Sequence, residues 1–183
     1  DWENGVVSPL RAVPDLKALP FPAYAICGYQ QYFAHPEKGN LRYPERSRRF
    51  TSYQATRGCT CACCFCNVPF LRGGRRHRHR PVEQALEHLG RLSDTLGIEE
   101  IHFIDENLTL NRRFALGLFQ GMTERKLNLS WIPAGGISVY TLDRELLEAM
   151  RASGCYRLTL AFESGSQEII DRCINKPVRL ERD

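Results

Sequence analysis

The sequence has no apolar run of the roughly 18 residues that a membrane-spanning helix needs. Its first residues also lack the basic start and apolar centre of a signal peptide. It has no strong excess of one charge, because 25 Lys and Arg residues face 21 Asp and Glu residues in 183 residues, a formal net charge of +4. These absences predict a cytoplasmic domain with no transmembrane segment, for which nucleic acid is an unexpected partner.

Cysteine, in contrast, is concentrated in one place. Five of the eight cysteines lie within residues 57–66. Cys59, Cys63 and Cys66 form a CxxxCxxC pattern there, with Phe65 directly before the last cysteine. Three thiolates from one short loop can bind three irons of a [4Fe–4S] cluster and leave the fourth iron without a protein ligand. The pattern therefore predicts an iron–sulfur site with one open position for a reacting ligand.

Disulfides and zinc are the alternatives for these cysteines. Disulfides are disfavoured because neighbours such as Cys63 and Cys64 do not easily reach the geometry of a bridge, and nothing else indicates secretion. Zinc needs four ligands, usually in two CxxC-type pairs, and the second pair is missing, although Cys61, Cys64 or a nearby histidine could serve. On the iron–sulfur interpretation, Cys61 and Cys64 remain extra thiols.

The pattern of the chain changes near residue 50. Before it, prolines interrupt any long element, which predicts an N-terminal linker or arm over residues 1–50. After it, short apolar runs alternate with amphipathic ones, which predicts repeated βα units, an α/β fold and a core over residues 51–183. The expected strands cover residues 51–55, 101–104, 129–133 and 156–162.

Helices are expected to begin near Pro81, Asn111, Asp143 and Ser166. Glycine is expected to end the first and third of them, at Gly97 and Gly154. The side chains at helical spacing predict buried faces that include Leu86, Leu89, Leu118, Phe119, Leu146, Leu147, Met150, Ile169 and Ile170.

The ends of parallel strands meet at one edge of a sheet, where such folds carry their chemistry. The cysteine loop follows the first expected strand, and Asp105, Glu106, Gly135 and Glu163 follow the others. A carboxylate there can accept hydrogen bonds from a ligand ammonium group, and glycine lets a ligand approach the backbone. Acidic residues at strand ends can equally cap the next helix, and Ser164 can do the same.

Other polar residues receive simpler interpretations. The basic run at residues 72–80 is interpreted as a solvated loop, because it is short and has no aromatic residues between its charges. His102 lies in an apolar strand and is expected to be a hydrogen-bonded core residue. Cys27, Cys155 and Cys173 are expected to be packing thiols.

Several of these segments together resemble the radical S-adenosylmethionine (SAM) superfamily. The resemblance is most specific at the cluster motif of residues 56–66. It continues through FIDENLT (103–109), LDRELL (142–147), SGC (153–155) and FESGS (162–166). These segments resemble the branch whose members often carry an N-terminal cobalamin-binding domain, and residues 15–22 resemble the linker of that branch.

The resemblance implies a partial (βα) TIM-like barrel of the radical SAM type. It is truncated here after about four βα units, so the chain resembles a fragment. In that family Cys59, Cys63 and Cys66 would ligate a [4Fe–4S] cluster whose open iron chelates the amino and carboxylate groups of SAM. One electron would then cleave SAM to methionine and a 5′-deoxyadenosyl radical, which abstracts hydrogen from the substrate.

The resemblance also implies roles for residues around the cluster. Asp105 and Glu106 would contact the methionine amino group, Glu163 would help to hold the cofactor, and Phe65 would pack near the adenine. The implied partners are a one-electron reductant such as flavodoxin or ferredoxin and a small-molecule, lipid or tetrapyrrole-like substrate. Cobalamin would come through an absent N-terminal domain. The predicted cofactor-binding residues are Phe65, Asp105, Glu106, Gly135, Glu163 and Ser164.

The main prediction is therefore a radical SAM enzyme domain, in a cobalamin-dependent methylase or cyclase. One alternative is a tRNA methylthiotransferase-like radical SAM enzyme, which residues 67–73 also resemble and in which a basic surface would meet RNA phosphates. The other is a zinc-stabilised nucleic-acid-binding module that uses the cysteines and the Arg/His run. Residues 105–107 and 163–165 fit the first interpretation better.

Overall fold

The computed structural model describes residues 15–24, 26–34 and 45–181. The parts of the predicted N-terminal arm around Pro14, Pro36 and Pro44 lie outside these residues. The described elements are β1 Phe50–Tyr53, β2 Thr56–Arg57, α1 Val68–Leu71, β3 Arg78–His79, α2 Val82–Leu96, β4 Glu100–Phe103, α3 Arg112–Glu124, β5 Ser130–Pro133, α4 Arg144–Ala152 and α5 Gln167–Ile169. A π-helical turn, Ile170–Ile174, continues α5, and single helical turns cover Leu16–Ala18, Tyr29–Ala34 and Val139–Thr141.

A three-stranded parallel sheet organises the described chain, in the order β1–β4–β5. Thr51 pairs with Ile101, and Ile101 pairs with Trp131. The segments that hold α2 and α3 connect these strands, as parallel neighbours require. The carboxyl ends of β1, β4 and β5 therefore lie at one edge, which we call the carboxyl rim. The predicted α/β class with a parallel sheet is confirmed.

Local signals fix the helix ends. The side chain of Asn111 accepts a hydrogen bond from Phe114 N at 3.0 Å, and that of Asp143 accepts one from Leu146 N at 2.8 Å. Gly97 ends α2 with a φ of 64°, a left-handed conformation that glycine adopts without strain. None of the described helices combines the length and the apolar character needed to cross a membrane.

The two faces of the sheet differ. On one face, the fully buried Phe103 and Trp131 pack towards the helices, and Phe119 of α3 stacks on Trp131 with ring centroids 4.8 Å apart. On the other face, the buried His102 lies 2.9 Å from Glu100 Oε1 through its Nε2 atom. The prediction that His102 is a hydrogen-bonded core residue is confirmed.

The described part of the N-terminal arm packs on this same domain. Leu16 is buried, and its carbonyl oxygen accepts a hydrogen bond from Arg80 Nη1 at 3.1 Å. The backbone N–H groups of Arg46 and Ser47 donate to Glu100 Oε2 at 2.7 and 2.8 Å.

The interpretation of residues 72–80 as a solvated loop is wrong at its end. Arg80 is buried because the arm carbonyls satisfy its guanidinium group.

The predicted fourth strand, residues 156–162, is not a regular strand. It shows only isolated parallel bridges, between Trp131 and Cys155 just before it and between Ile137 and Leu160 within it. The chain turns directly after β5, where Gly136 N donates to the backbone oxygen of Pro133 at 3.0 Å, so residues 156–162 lack a continuous partner for a regular ladder. Its apolar side chains are partly exposed, namely Leu158, Leu160 and Phe162.

Two residues expected in buried helix faces are exposed. In α4, Leu146 and Met150 occupy the inward stripe four residues apart, and Leu147 lies beside that stripe with 39% of its surface exposed. In α5, Ile170 is buried, whereas Ile169 is 45% exposed because this short helix presents only one side to the domain.

The three cysteines outside the loop also differ from expectation. Cys27 and Cys173 are exposed, so neither is a packing thiol. Cys27 lies in an irregular turn and Cys173 on the outer side of the π-helical turn, where the fold offers no apolar cover. Cys155 is partly buried and packs against the main core, as predicted.

A test of the carboxyl rim uses two glycines. A Cβ atom on Gly135 would lie 2.1 Å from the backbone oxygen of Asp105, whereas one on Gly165 would meet nothing within 4 Å. Gly135→Ala should therefore lower the free energy of unfolding by about 1–3 kcal/mol through overpacking. Urea denaturation measures this free energy of unfolding, and Gly165→Ala is the matched control. Equal effects of the two substitutions would contradict the close contact between these loops.

Candidate functional site

The cysteine loop begins where β2 ends, at the carboxyl rim. Gly58 makes this start possible, because it has a φ of 87° and a Cβ atom there would lie 2.0 Å from the backbone oxygen of Arg76. Only glycine tolerates both conditions. The loop therefore leaves β2 in direct contact with the segment that leads into β3, an antiparallel pairing that the sequence did not predict.

Asp105 lies beneath the start of this loop. Its carboxylate accepts hydrogen bonds from Thr56 Oγ1 at 2.7 Å, from Thr56 N at 2.5 Å and from Ala55 N at 3.4 Å. Burial raises the pKa of Asp105 to about 7, although the hydrogen bonds from Thr56 and Ala55 oppose that shift. The contacts that Asp105 makes are thus with the protein. Its predicted contact with a methionine amino group stays a prediction.

Glu106 holds the next residues of the loop. Gly58 N donates to Glu106 Oε2 at 2.9 Å, and Arg72 Nε donates to Glu106 Oε1 at 2.6 Å. The Glu106 side chain is 13% exposed, so these charge-assisted bonds are sheltered from water. Glu106 therefore ties the start of the cysteine loop to the segment after α1.

The thiols of the loop lie close enough to influence one another. A hydrogen bond with Cys61, together with burial, raises the pKa of the Cys59 thiol, and the same bond lowers the pKa of Cys61. Burial and then Cys61 raise the pKa of Cys63, and Cys66 adds to that rise. Cys59, Cys63 and Cys66 are partly buried, whereas Cys64 is exposed. The three predicted ligands thus share a sheltered environment that Cys64 does not.

Residues far away in the sequence contact the loop as well. Tyr140 Oη lies 2.8 Å from Cys61 Sγ. Cys64 N donates to the backbone oxygen of Ile174 at 3.0 Å, and Asn175 Nδ2 donates to that of Ala62 at 3.4 Å. Sequence reasoning did not identify Tyr140 or the 174–176 segment. Neither carries a local motif, and only the folded chain brings them to the loop.

Glu163 lies at the rim in a left-handed conformation, with a φ of 72°. Its Oε1 atom pairs with Lys176 Nζ at 2.8 Å. Ser164 Oγ accepts a hydrogen bond from Ser166 N at 3.1 Å, and Ser166 caps α5 through Ile169 N. Ser164 thus supports the turn into α5, and the Glu163 carboxylate is 30% exposed at the rim.

Phe65 and Gly135 complete the predicted set. Phe65 is 61% exposed, so its ring is free of the core and accessible to a ligand. Gly135 packs on the backbone of Asp105 and keeps the loop after β5 against the loop after β4. The roles of these residues in binding a cofactor stay predictions.

The donor set fits an iron–sulfur cluster better than a single metal ion. In the described ranges, no three His, Cys, Asp or Glu side chains are arranged to hold one ion. A cubane differs from an ion because each protein thiolate binds its own iron, and thiolates are the ligands that such clusters use. Three mutually influencing, partly buried thiols in one braced loop are compatible with that chemistry.

Comparisons with known proteins identify relatives of this chain. The chain is 35% identical over 181 residues to cytidylyl-2-hydroxyethylphosphonate methyltransferase from Streptomyces wedmorensis, covering 98% of this chain and 33% of that protein. It is 29% identical over 143 residues to a ribosomal protein uS12 methylthiotransferase from Symbiobacterium thermophilum, covering 72% of this chain and 28% of that protein. The chain thus spans about a third of the length of these curated relatives.

The fold has solved counterparts. The structure of the apo, selenomethionine-labelled cobalamin-dependent SAM radical enzyme OxsB matches with a TM-score of 0.66 at 20% identity. The match covers 100% of this chain and 26% of that one. Residues 53–182 match the family model of the radical SAM superfamily. The chain belongs to the radical SAM superfamily.

Proposed function

We propose that this chain forms the cluster- and SAM-binding core of a cobalamin-dependent radical SAM methyltransferase. The observation that carries the proposal is the cysteine loop at the carboxyl rim, braced from below by Asp105 and Glu106. The methyltransferase relative aligns with 98% of this chain, and OxsB, a cobalamin-dependent SAM radical enzyme, has the same fold.

In this proposal Cys59, Cys63 and Cys66 bind a [4Fe–4S] cluster, and Cys61 stays with Tyr140. When bound, the cluster supplies one electron for the cleavage of SAM and an open iron for its amino and carboxylate groups. The chain's own task is to hold the three thiolates in place. The bonds from Thr56 and Gly58 to the acidic pair do this, because they fix the backbone that precedes Cys59.

The remaining rim residues would surround SAM. The partly exposed carboxylate of Glu163 is placed to accept hydrogen bonds from a polar group of the cofactor, and the exposed ring of Phe65 is available to cover its adenine. The loop at Gly135 would line the same side. A one-electron reductant such as flavodoxin or ferredoxin would be the partner that supplies electrons.

The finer architecture also belongs to the proposal. The parallel strands β1, β4 and β5, followed by residues 156–162, would be four consecutive strands of a partial TIM-like barrel. The bridge between Ile137 and Leu160 supports this, because it continues the sheet in parallel beyond β5. The division between an arm up to residue 50 and a core from residue 51 stays a prediction.

A methylthiotransferase is the second candidate, because such a relative aligns with 72% of this chain. Cobalamin separates the two functions. A methyltransferase of the proposed type should transfer the methyl group of SAM to added reduced cobalamin, and a methylthiotransferase should not require cobalamin at all. Anaerobic reconstitution with iron and sulfide, followed by reductant, SAM and cobalamin, tests this by the formation of methylcobalamin and 5′-deoxyadenosine.

The cluster ligands can be tested one by one. Cys59→Ala, Cys63→Ala and Cys66→Ala should each lose most of the bound iron and sulfide after reconstitution, because each removes the only protein ligand of one iron. Cys64→Ala and Cys27→Ala remove exposed thiols and should leave the iron content unchanged. Elemental analysis and the visible absorption of the cluster measure the result. Loss of iron with Cys64→Ala but not with Cys63→Ala would show that Cys64, and not Cys63, is a ligand of the cluster.

The brace can be tested separately from the ligands. Glu106→Gln should lower the free energy of unfolding by about 1.5–3 kcal/mol, because two sheltered bonds to a charged group are weakened. It should also lower the iron content, since Gly58 is no longer held firmly. Glu87→Gln breaks an exposed ion pair with Arg91 and should cost only about 0–1 kcal/mol. Equal losses in urea denaturation would refute the brace.

A further inference from the structure

Lys176 is a buried cation that the proposed function does not yet use. Only 7% of the residue is exposed. Its Nζ atom donates to the backbone oxygen of Ala161 at 2.7 Å and to Glu163 Oε1 at 2.8 Å. Lysine is rarely buried to this extent without a specific partner, and its acidic partner Glu163 keeps 30% of its side chain in solvent. The ammonium charge is therefore only partly offset.

The surroundings of this charge are the cysteine loop. The residues just before Lys176 bind the loop backbone, through Ile174 O to Cys64 and through the Asn175 side chain to Ala62. Lys176 follows directly on the two residues that hold the loop at Ala62 and Cys64, so a cluster bound in this loop would lie in the field of its charge.

The position of Glu163 depends on the same contact. A residue other than glycine with a φ of 72° is strained, and it keeps this conformation only where its surroundings hold it. The Lys176 ammonium binds both the Glu163 carboxylate and the carbonyl of Ala161, two residues earlier. One side chain therefore fixes the turn that carries the acidic rim residue.

A cluster bound by three thiolates carries negative charge, and one-electron reduction adds more. A nearby buried cation lowers the free energy of the reduced form more than that of the oxidised form, because its attraction grows with the negative charge of the site. The reduction potential of iron–sulfur clusters depends on net charge and on solvent exposure in this way. A cation at the Lys176 position would thus make the cluster easier to reduce.

We propose that Lys176 is a positioning residue that holds Glu163 at the rim and raises the reduction potential of a cluster bound by Cys59, Cys63 and Cys66. The inference rests on the proposed function and deepens it. It assigns a redox role to a residue in the segment that follows α5, far from the cysteine motif in the sequence.

The test is the midpoint potential of the reconstituted cluster, from an anaerobic redox titration followed by electron paramagnetic resonance. Lys176→Met removes the charge at similar size. It should shift the equilibrium towards the oxidised cluster about tenfold, which is about 59 mV more negative for one electron. Lys176→Arg keeps the charge and should leave the midpoint potential close to that of the wild type. Glu163→Gln removes the opposing charge and should shift the potential in the positive direction, which a purely structural role would not produce.

The matched control is Lys126→Met, which removes an exposed lysine just after α3, at the edge of the sheet opposite the carboxyl rim. It should leave the potential unchanged. If circular dichroism shows that Lys176→Met does not fold, Lys176→Gln takes its place in the redox titration, because it keeps a donor for the Ala161 carbonyl and removes the charge. A normal cluster with an unchanged potential in the uncharged variant overturns the role of Lys176 and leaves the proposed function intact. A wild-type chain that binds no cluster overturns both.

Discussion

The site depends on two adjacent carboxylates, those of Asp105 and Glu106, which fix the start of the cysteine loop by hydrogen bonds. Residues 59–66 have no secondary structure for most of their length and almost no buried apolar side chain, so little hydrophobic energy fixes them. Asp105 and Glu106 supply the order, through hydrogen bonds from the backbone of Ala55, Thr56 and Gly58. Burial of Asp105 has a free-energy cost, because it raises the pKa of this carboxyl group to about 7 despite the hydrogen bonds that the group accepts. A carboxyl group in such a place defines the loop's geometry more than it adds to stability.

The upper side of the loop is closed by a different part of the chain. Tyr140 comes from the turn after β5, and Ile174 and Asn175 lie at the end of the π-helical turn that continues α5, yet all three contact the loop between Cys61 and Cys64. The loop is therefore held between acidic residues below and the C-terminal segment above. Lys176 adds a positive charge on the second side, which opposes the rise that burial gives to the pKa of the Cys63 thiol. These opposing influences suit thiols that are neutral when free and thiolates when they bind iron.

Local patterns predicted more of the fold than of the site. Helical spacing and capping residues predicted α2, α3 and α4, because those signals lie within a few residues of one another. The resemblance of residues 56–66 and of several later segments predicted the radical SAM superfamily, and the family match over residues 53–182 confirms it. The prediction of a fourth strand was wrong because the chain turns directly after β5, between Pro133 and Gly136, and so offers residues 156–162 no continuous backbone partner. Arg80 and Lys176 were missed for a related reason: their burial is decided by carbonyls and carboxylates distant in sequence. The individual binding roles of the predicted site residues stay predictions.

The arrangement also explains why so short a stretch can carry the cluster chemistry proposed here. The loop, its acidic brace and its upper cover all lie between Ala55 and Lys176, and the contacts of the described residues that order the loop are made within that range. Relatives about three times as long align with most of this chain although their names describe different reactions, a methyl transfer in one case and a methylthio transfer in another. A common core that holds the thiols, joined to different surroundings that hold the substrate, accounts for both facts. On this view the parts of the rim that face the cluster should tolerate little change, whereas the partly exposed apolar side of residues 158–162 is free to meet different neighbours.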